Sequence, residues 1–144
     1  MMTDYYLVLD PGDTTGVALF GAKGTLLSSN QIDGIAEVGY YLEQMLRVDK
    51  HACIRCLYES YKVFPWVKQG GSDVPAAQVI GIIKYLCSKY GVPYEEIDPK
   101  FKRIGYAWSG KKPPSNHAIS HGPDAEALGE YWLRKNKVKG MDDD

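Results

Sequence analysis

Four side chains suited to metal or acid–base chemistry stand where regular elements begin or end: Asp10, Glu59, His121 and Asp124. Asp10 closes the apolar run YYLVLD and is followed by Pro11 and Gly12. Glu59 closes CIRCLYE, and Asp124 opens the last helical segment, three residues after His121. Residues i and i+3 of a helix share a face, so His121 and Asp124 can point together. Leu128 and Tyr131 continue that face and turn it toward a sheet. If the first and fourth strands are neighbours, Asp10 and Glu59 emerge at one edge. Clustered carboxylates in a low dielectric repel one another. Hard divalent ions such as Mg²⁺ or Mn²⁺ relieve that repulsion through oxygen ligands. Two such ions roughly 4 Å apart can activate a water and stabilise the leaving 3′-oxygen of a phosphodiester.

Each residue also has an ordinary structural role. An Asp before Pro-Gly is often a turn residue, and an Asp near a helix start suits the helix dipole. An acid directly after an apolar strand is less ordinary, because burial demands a partner. The weight therefore rests on three acids in a consistent topological order. Glu126 and Glu130 fall on the other face of the last helix, at four-residue spacing toward Arg134, and read as surface ion-pair partners. Asp13 reads as a solvated turn residue. His117 precedes His121 by four residues in a loop and is the weaker candidate.

The elements that must hold these groups follow from the hydrophobic pattern. YYLVLD is a strand, PGDTTG a turn, and VALF and TLLSSNQI two further strands separated by GAKG, giving a three-stranded antiparallel meander. Ile35, Val38, Leu42, Met45 and Leu46 recur at helical spacing over 34–48. CIRCLYE is a buried strand. The loop 60–75 is long, polar and aromatic. AAQVIGIIKYLCSKYG is a helix stopped by Gly91, and VPYEEI is a short strand. Residues 98–121 form a basic connection without clear periodicity, and 123–137 form the closing helix. The order β-β-β-α-β-α-β-α predicts a single α/β domain over 1–139. Its mixed five-stranded sheet has strands 1–3 antiparallel, with helices on both faces, and 140–144 is an acidic tail.

Composition bounds the function classes. With 144 residues, 44% of them hydrophobic and 24% charged, the chain is ordinary globular protein. No apolar run is long enough to span a membrane and no secretory signal opens the chain, so a soluble, cytoplasmic protein is expected. The three cysteines are an odd number, which argues against a disulfide framework. Cys53 and Cys56 fall three apart on a strand, on opposite faces, which argues against a zinc site. The net charge is −1, yet the stretch from Pro99 to Lys139 holds nine basic and three acidic residues. Lys100, Lys102, Arg103, Lys111 and Lys112 in that stretch are candidate phosphate contacts. After Glu59, Tyr61, Phe64 and Trp66 alternate with Lys62 and Lys68, a pattern that can stack on unpaired bases and track a backbone.

Four blocks together resemble the RuvC-type Holliday junction resolvases. LVLDPGDTTGVALF resembles their opening strand and Asp-Pro-Gly turn, and LYES their second acid. AAQVIGIIKYLCSKYGVPYEEIDPKFKR resembles their Gln- and Gly-containing helix, the strand after it and a Pro-x-x-x-Lys-like stretch. HGPDAEALG resembles their closing H-x-x-D-A-x-A motif. The resemblance implies an RNase H-like fold, a homodimer, two Mg²⁺ or Mn²⁺ ions per active site, and paired nicking of four-way DNA junctions. It places Asp10, Glu59, His121 and Asp124 at the active-site positions. Two departures stand out. The DPGDTTG turn is one residue shorter than the usual bacterial pattern, and the stretch from Lys102 to His121 is too short for the extra helix of larger relatives. Both point to a compact, phage-type member acting in a bacterial cell or a phage-infected host.

The rival readings on this fold are a flap or fork endonuclease and a non-catalytic nucleic-acid-binding protein. A sugar-kinase or actin-like ATPase shares the Asp-Gly turn but needs two such domains. A haloacid-dehalogenase-like phosphatase needs an Asp where Gly12 stands.

Overall fold

Short turns join the first three strands, and a left-handed Gly24 (φ +85°) closes the second of them. The computed structural model describes residues 3–48, 52–61, 73–116 and 119–139. Five strands, β1 (Tyr5–Asp10), β2 (Thr14–Gly21), β3 (Leu26–Asp33), β4 (Ile54–Glu59) and β5 (Tyr94–Ile97), form one sheet. Its order is β3-β2-β1-β4-β5. β1–β2 and β2–β3 are antiparallel, while β1–β4 and β4–β5 are parallel. The helices are α1 (Ile35–Val48), α2 (Asp73–Tyr90), α3 (Lys102–Ser109) and α4 (His121–Lys135), with a short 3₁₀ turn at Pro99–Phe101. The mixed sheet read from the hydrophobic pattern is the one observed.

Strand alternation divides the core into two layers. Leu7, Leu9, Val17, Cys56 and Tyr58 pack against Val38, Leu42, Val79 and Ile83 of α1 and α2. Tyr6, Val8, Ala18, Phe20, Leu57 and Ile97 pack against Ala125, Leu128, Trp132 and Leu133 of α4. β1 is buried on both sides, which is why it reads as a continuous apolar run. Gly91, at φ +66°, ends α2 as expected. Among the described residues no helix is long and apolar enough to cross a membrane.

Three sequence expectations are corrected. Thr14, Thr15 and Gly16, assigned to a turn, begin β2, where they pair with Asp33, Ile32 and Gln31. The Lys102–His121 stretch, expected to lack a helix, holds the two turns of α3. Only Gly105 and Tyr106 of α3 are buried, and the helix is just eight residues long, too short for a clear repeat in the sequence. A Cβ on Gly105 would lie 1.8 Å from the Ala127 carbonyl oxygen, so a close backbone crossing seats α3 on α4, together with Trp108 stacked on Tyr131. Finally, Glu130 and Arg134 form the expected i,i+4 pair, Nε to Oε1 at 2.6 Å, but both are buried rather than on the surface. Lys139 takes the other Glu130 oxygen at 3.2 Å, so the acid is neutralised where it lies. Glu126 instead accepts from Ser29 Oγ at 2.9 Å and Lys111 Nζ at 3.2 Å.

Candidate active site

Strand parity puts two acids over one end of the sheet. Val8 and Leu57 face α4, and Asp10 and Glu59 follow each of them by two residues, so both carboxylates share the α4 face. β1 and β4 run parallel in register up to Leu9 and Tyr58, so Asp10 and Glu59 occupy the next rung, at the C-terminal edge. α4 begins over this edge. His121 Nδ1 lies 3.6 Å from Asp10 Oδ2. Asp124, one turn on, accepts from Tyr106 Oη of α3 at 2.5 Å. All four line an open cleft of about 580 Å³ with Pro11, Thr14, Ser60, Tyr61 and Ile80. The four residues singled out from sequence are thus brought together, and Tyr61 is at their rim.

Lys102, a candidate phosphate contact in the sequence, lies inside the cleft. Its Nζ is 3.1 Å from Glu59 Oε2 and 3.5 Å from Asp124 Oδ2. Tyr106 was not anticipated. Its hydroxyl is pushed up by burial and by the bond to Asp124, so it remains a donor. Lys100 and Arg103 are exposed near the cleft. Lys111 and Lys112 follow α3, about 12 Å further on at 1.5 Å rise per residue. There they line a second cavity of about 540 Å³ with Phe20, Leu26 and Pro123. Lys62, Phe64, Trp66, Lys68 and His117 lie outside the described residues.

The electrostatics follow from crowding. Burial raises the Glu59 carboxyl, and a hydrogen bond to Asp10 and the Asp10 charge raise it further, to about 8 against the pull of Lys102. Burial also raises Asp10, but hydrogen bonds with His121 and Glu59 and the Lys102 charge outweigh it, and its carboxyl stays below the usual range. The crowding favours a proton on Glu59 over one on Asp10, which has His121 as a second partner. The hydrogen bond to Asp10 raises the His121 imidazole against burial. Burial lowers Lys102, but the charges of Asp10, Glu59 and Asp124 overcome it and hold the ammonium charged.

Among the described residues, no three His, Cys, Asp or Glu side chains are drawn into a ready ligand cage. Two observations nonetheless fit this donor set to a hard divalent cation. An ammonium already bridges Glu59 and Asp124 as a stand-in cation. In addition, Asp10 and Glu59 stand side by side at the end of the parallel β1–β4 pair, and both line the cleft. Three carboxylates and one imidazole are donors suited to Mg²⁺ or, with the nitrogen included, to Mn²⁺.

A stability prediction follows. Folded Glu59 holds its proton to about 8, whereas the ordinary value is 4.5. Between those values the folded state binds more protons than the unfolded one, so stability falls as pH rises. The raised His121 acts in the same direction, its contribution being lost as pH rises through its folded value. Calorimetry of protein in EDTA should show Tm falling across this window. Mn²⁺ should restore it at the alkaline end, and Glu59→Gln should flatten the slope. A Tm indifferent to both pH and Mn²⁺ would contradict this electrostatic picture.

No protein-family model and no curated protein matches this chain. Solved structures do. Thermus thermophilus RuvC in complex with a Holliday junction substrate aligns at a TM-score of 0.68 and 14% identity, over 95% of this chain and 97% of that one. Another Thermus thermophilus RuvC structure aligns at 0.62 and 12% identity, over 92% and 96%. The chain therefore has the RNase H-like fold of RuvC along nearly its whole length.

Proposed function

We propose that this protein is a structure-selective endodeoxyribonuclease that hydrolyses phosphodiester bonds in branched DNA, four-way junctions foremost. The observation that carries this reading is the convergence of Asp10, Glu59, His121 and Asp124 on one cleft at the C-terminal edge of β1 and β4. The likeness to a RuvC fold solved with a Holliday junction substrate supports it. Asp10, Glu59, Asp124 and His121 would hold two Mg²⁺ or Mn²⁺ ions. Bound there, these ions would supply Lewis-acid activation of water and charge stabilisation at the leaving oxygen.

The chain's own residues do the rest. Tyr106 fixes one Asp124 oxygen and leaves the other toward the cleft. Lys102 neutralises Asp124 and contacts Glu59 in the cation-free site, and is within reach of a phosphate laid over them. His121 is placed beside Asp10 to orient a water or contact the scissile phosphate. Tyr61 lines the cleft, the exposed Lys100 and Arg103 neighbour Lys102 in sequence, and Lys111 and Lys112 follow α3 as further basic groups. A homodimer would present two such clefts to the two strands that a junction resolvase must nick.

Binding measured without divalent cations tests the substrate class. A four-way junction should bind more tightly than a linear duplex of the same length, and equal affinity would contradict branch selectivity. Ala substitution of Lys100, Arg103 or Lys112, all exposed, should lower the slope of log affinity against log salt by about one unit each. Lys111 should matter less, since its ammonium is already paired with Glu126. Unchanged slopes in all four variants would move the DNA surface elsewhere.

A further inference from the structure

Three residues from three strands form one rung across the sheet. Asp10 of β1 pairs with Gly16 of β2, and Gly16 pairs with Gln31 of β3. The first turn of α4 rests on this rung. A Cβ on Gly16 would lie 1.8 Å from the His121 carbonyl oxygen, so only glycine lets the helix start come this close. Gly122 is similarly tight, its missing Cβ 3.1 Å from Ser29 Oγ and 3.4 Å from the Asn30 carbonyl oxygen. The helix does not supply its own cap. The residue before it, Ser120, is itself helical in φ and ψ and makes no side-chain capping bond. Gln31 Oε1 accepts instead from two backbone amides of the first turn, His121 N at 2.9 Å and Gly122 N at 3.3 Å. Such amides have no partner within a helix and are ordinarily met by a Ser, Thr, Asp or Asn nearby in sequence. Here the partner is 90 residues away and stands on the same rung as the catalytic candidate Asp10.

From this arrangement we infer that Gln31 is a positioning residue for the active site. By capping α4 from the sheet, it sets the register of His121 and Asp124 against Asp10 and Glu59. It acts through the backbone amides of His121 and Gly122. The inference rests on the nuclease reading only for its effect on rate, since the cap itself is a property of the fold.

Two near-isosteric variants separate the capping oxygen from side-chain bulk. Gln31→Met keeps the length and removes the acceptor. Gln31→Glu keeps an acceptor oxygen, with a charge that suits a helix N-terminus. In Gln31→Met, amide hydrogen exchange at His121 and Gly122 should speed up by about 10-fold, the scale of a lost cap. Single-turnover cleavage of a four-way junction should slow by about 10-fold or more, because small misplacements of reacting groups are costly. Junction affinity should stay near the wild-type value, and Gln31→Glu should restore both exchange and rate. Wild-type exchange in Gln31→Met, or a Gln31→Glu protein as impaired as Gln31→Met, would overturn the capping role. Faster exchange with an unchanged cleavage rate would overturn the positioning role. A wild-type protein that cuts no DNA would refute the nuclease reading by itself, and the exchange comparison would still decide whether Gln31 holds α4.

Discussion

Replacing Asp10 with Asn should abolish cleavage of a four-way junction while leaving its binding intact or tighter. Asp10 is buried, sits on the rung next to Glu59 and contacts His121. Asn keeps the shape of the side chain and removes the charge. Losing several kcal/mol of transition-state stabilisation from a displaced cation corresponds to a rate loss on the order of 10³-fold or more. Binding should persist because the basic residues around the cleft are untouched and one repelling anion is gone. The variant should fold, since Glu59 no longer faces a charged carboxylate, and its Tm in EDTA should be no lower than that of the wild type. Single-turnover cleavage and gel-shift affinity, measured on the same preparation, check both halves. Near wild-type cutting by Asp10→Asn would remove Asp10 from the chemistry.

The second large effect is expected at His121. Its ring lies beside Asp10 at the mouth of the cleft, on the first residue of α4. His121→Ala should slow the single-turnover rate by at least ~100-fold, the lower range for a lost acid–base or water-orienting group. Folding and junction affinity should change little, because the helix cap acts on the His121 backbone amide and not on its ring. A nitrogen ligand also favours Mn²⁺ over Mg²⁺. The wild-type preference between the two ions should therefore shrink in the variant. A His121→Ala protein that cuts at the wild-type rate with both ions would leave only the carboxylates.

The parts of this site that were legible in the sequence are those fixed by strand periodicity. Asp10 and Glu59 each end an apolar run, and a parallel β1–β4 pair can only bring such ends together. Asp124 and His121 were legible from helical spacing. Lys102, a lysine in a basic stretch, reads from sequence as a phosphate contact alone. Nothing local signals that its ammonium turns inward to Glu59. The helix α3 is hard to read because it is only eight residues long, with a close glycine contact and two aromatics seating it on α4. Glu130 was read as exposed because its partners, Arg134 and Lys139, bury with it. The roles of Gly16 and Gln31 depend on pairing across three strands, and that register is set by tertiary structure.

Metal-dependent cutting of branched DNA at this cleft can be read directly from its products. The most direct measurement is the product pattern when purified protein is incubated with end-labelled four-way junction, flap, fork and linear duplex in Mn²⁺ or Mg²⁺. Paired nicks near the branch point of the four-way junction, little cutting of linear duplex and no cutting in EDTA are expected. Cleavage that persists in EDTA, or no cleavage of any branched substrate with either ion, would contradict metal-dependent cutting of branched DNA.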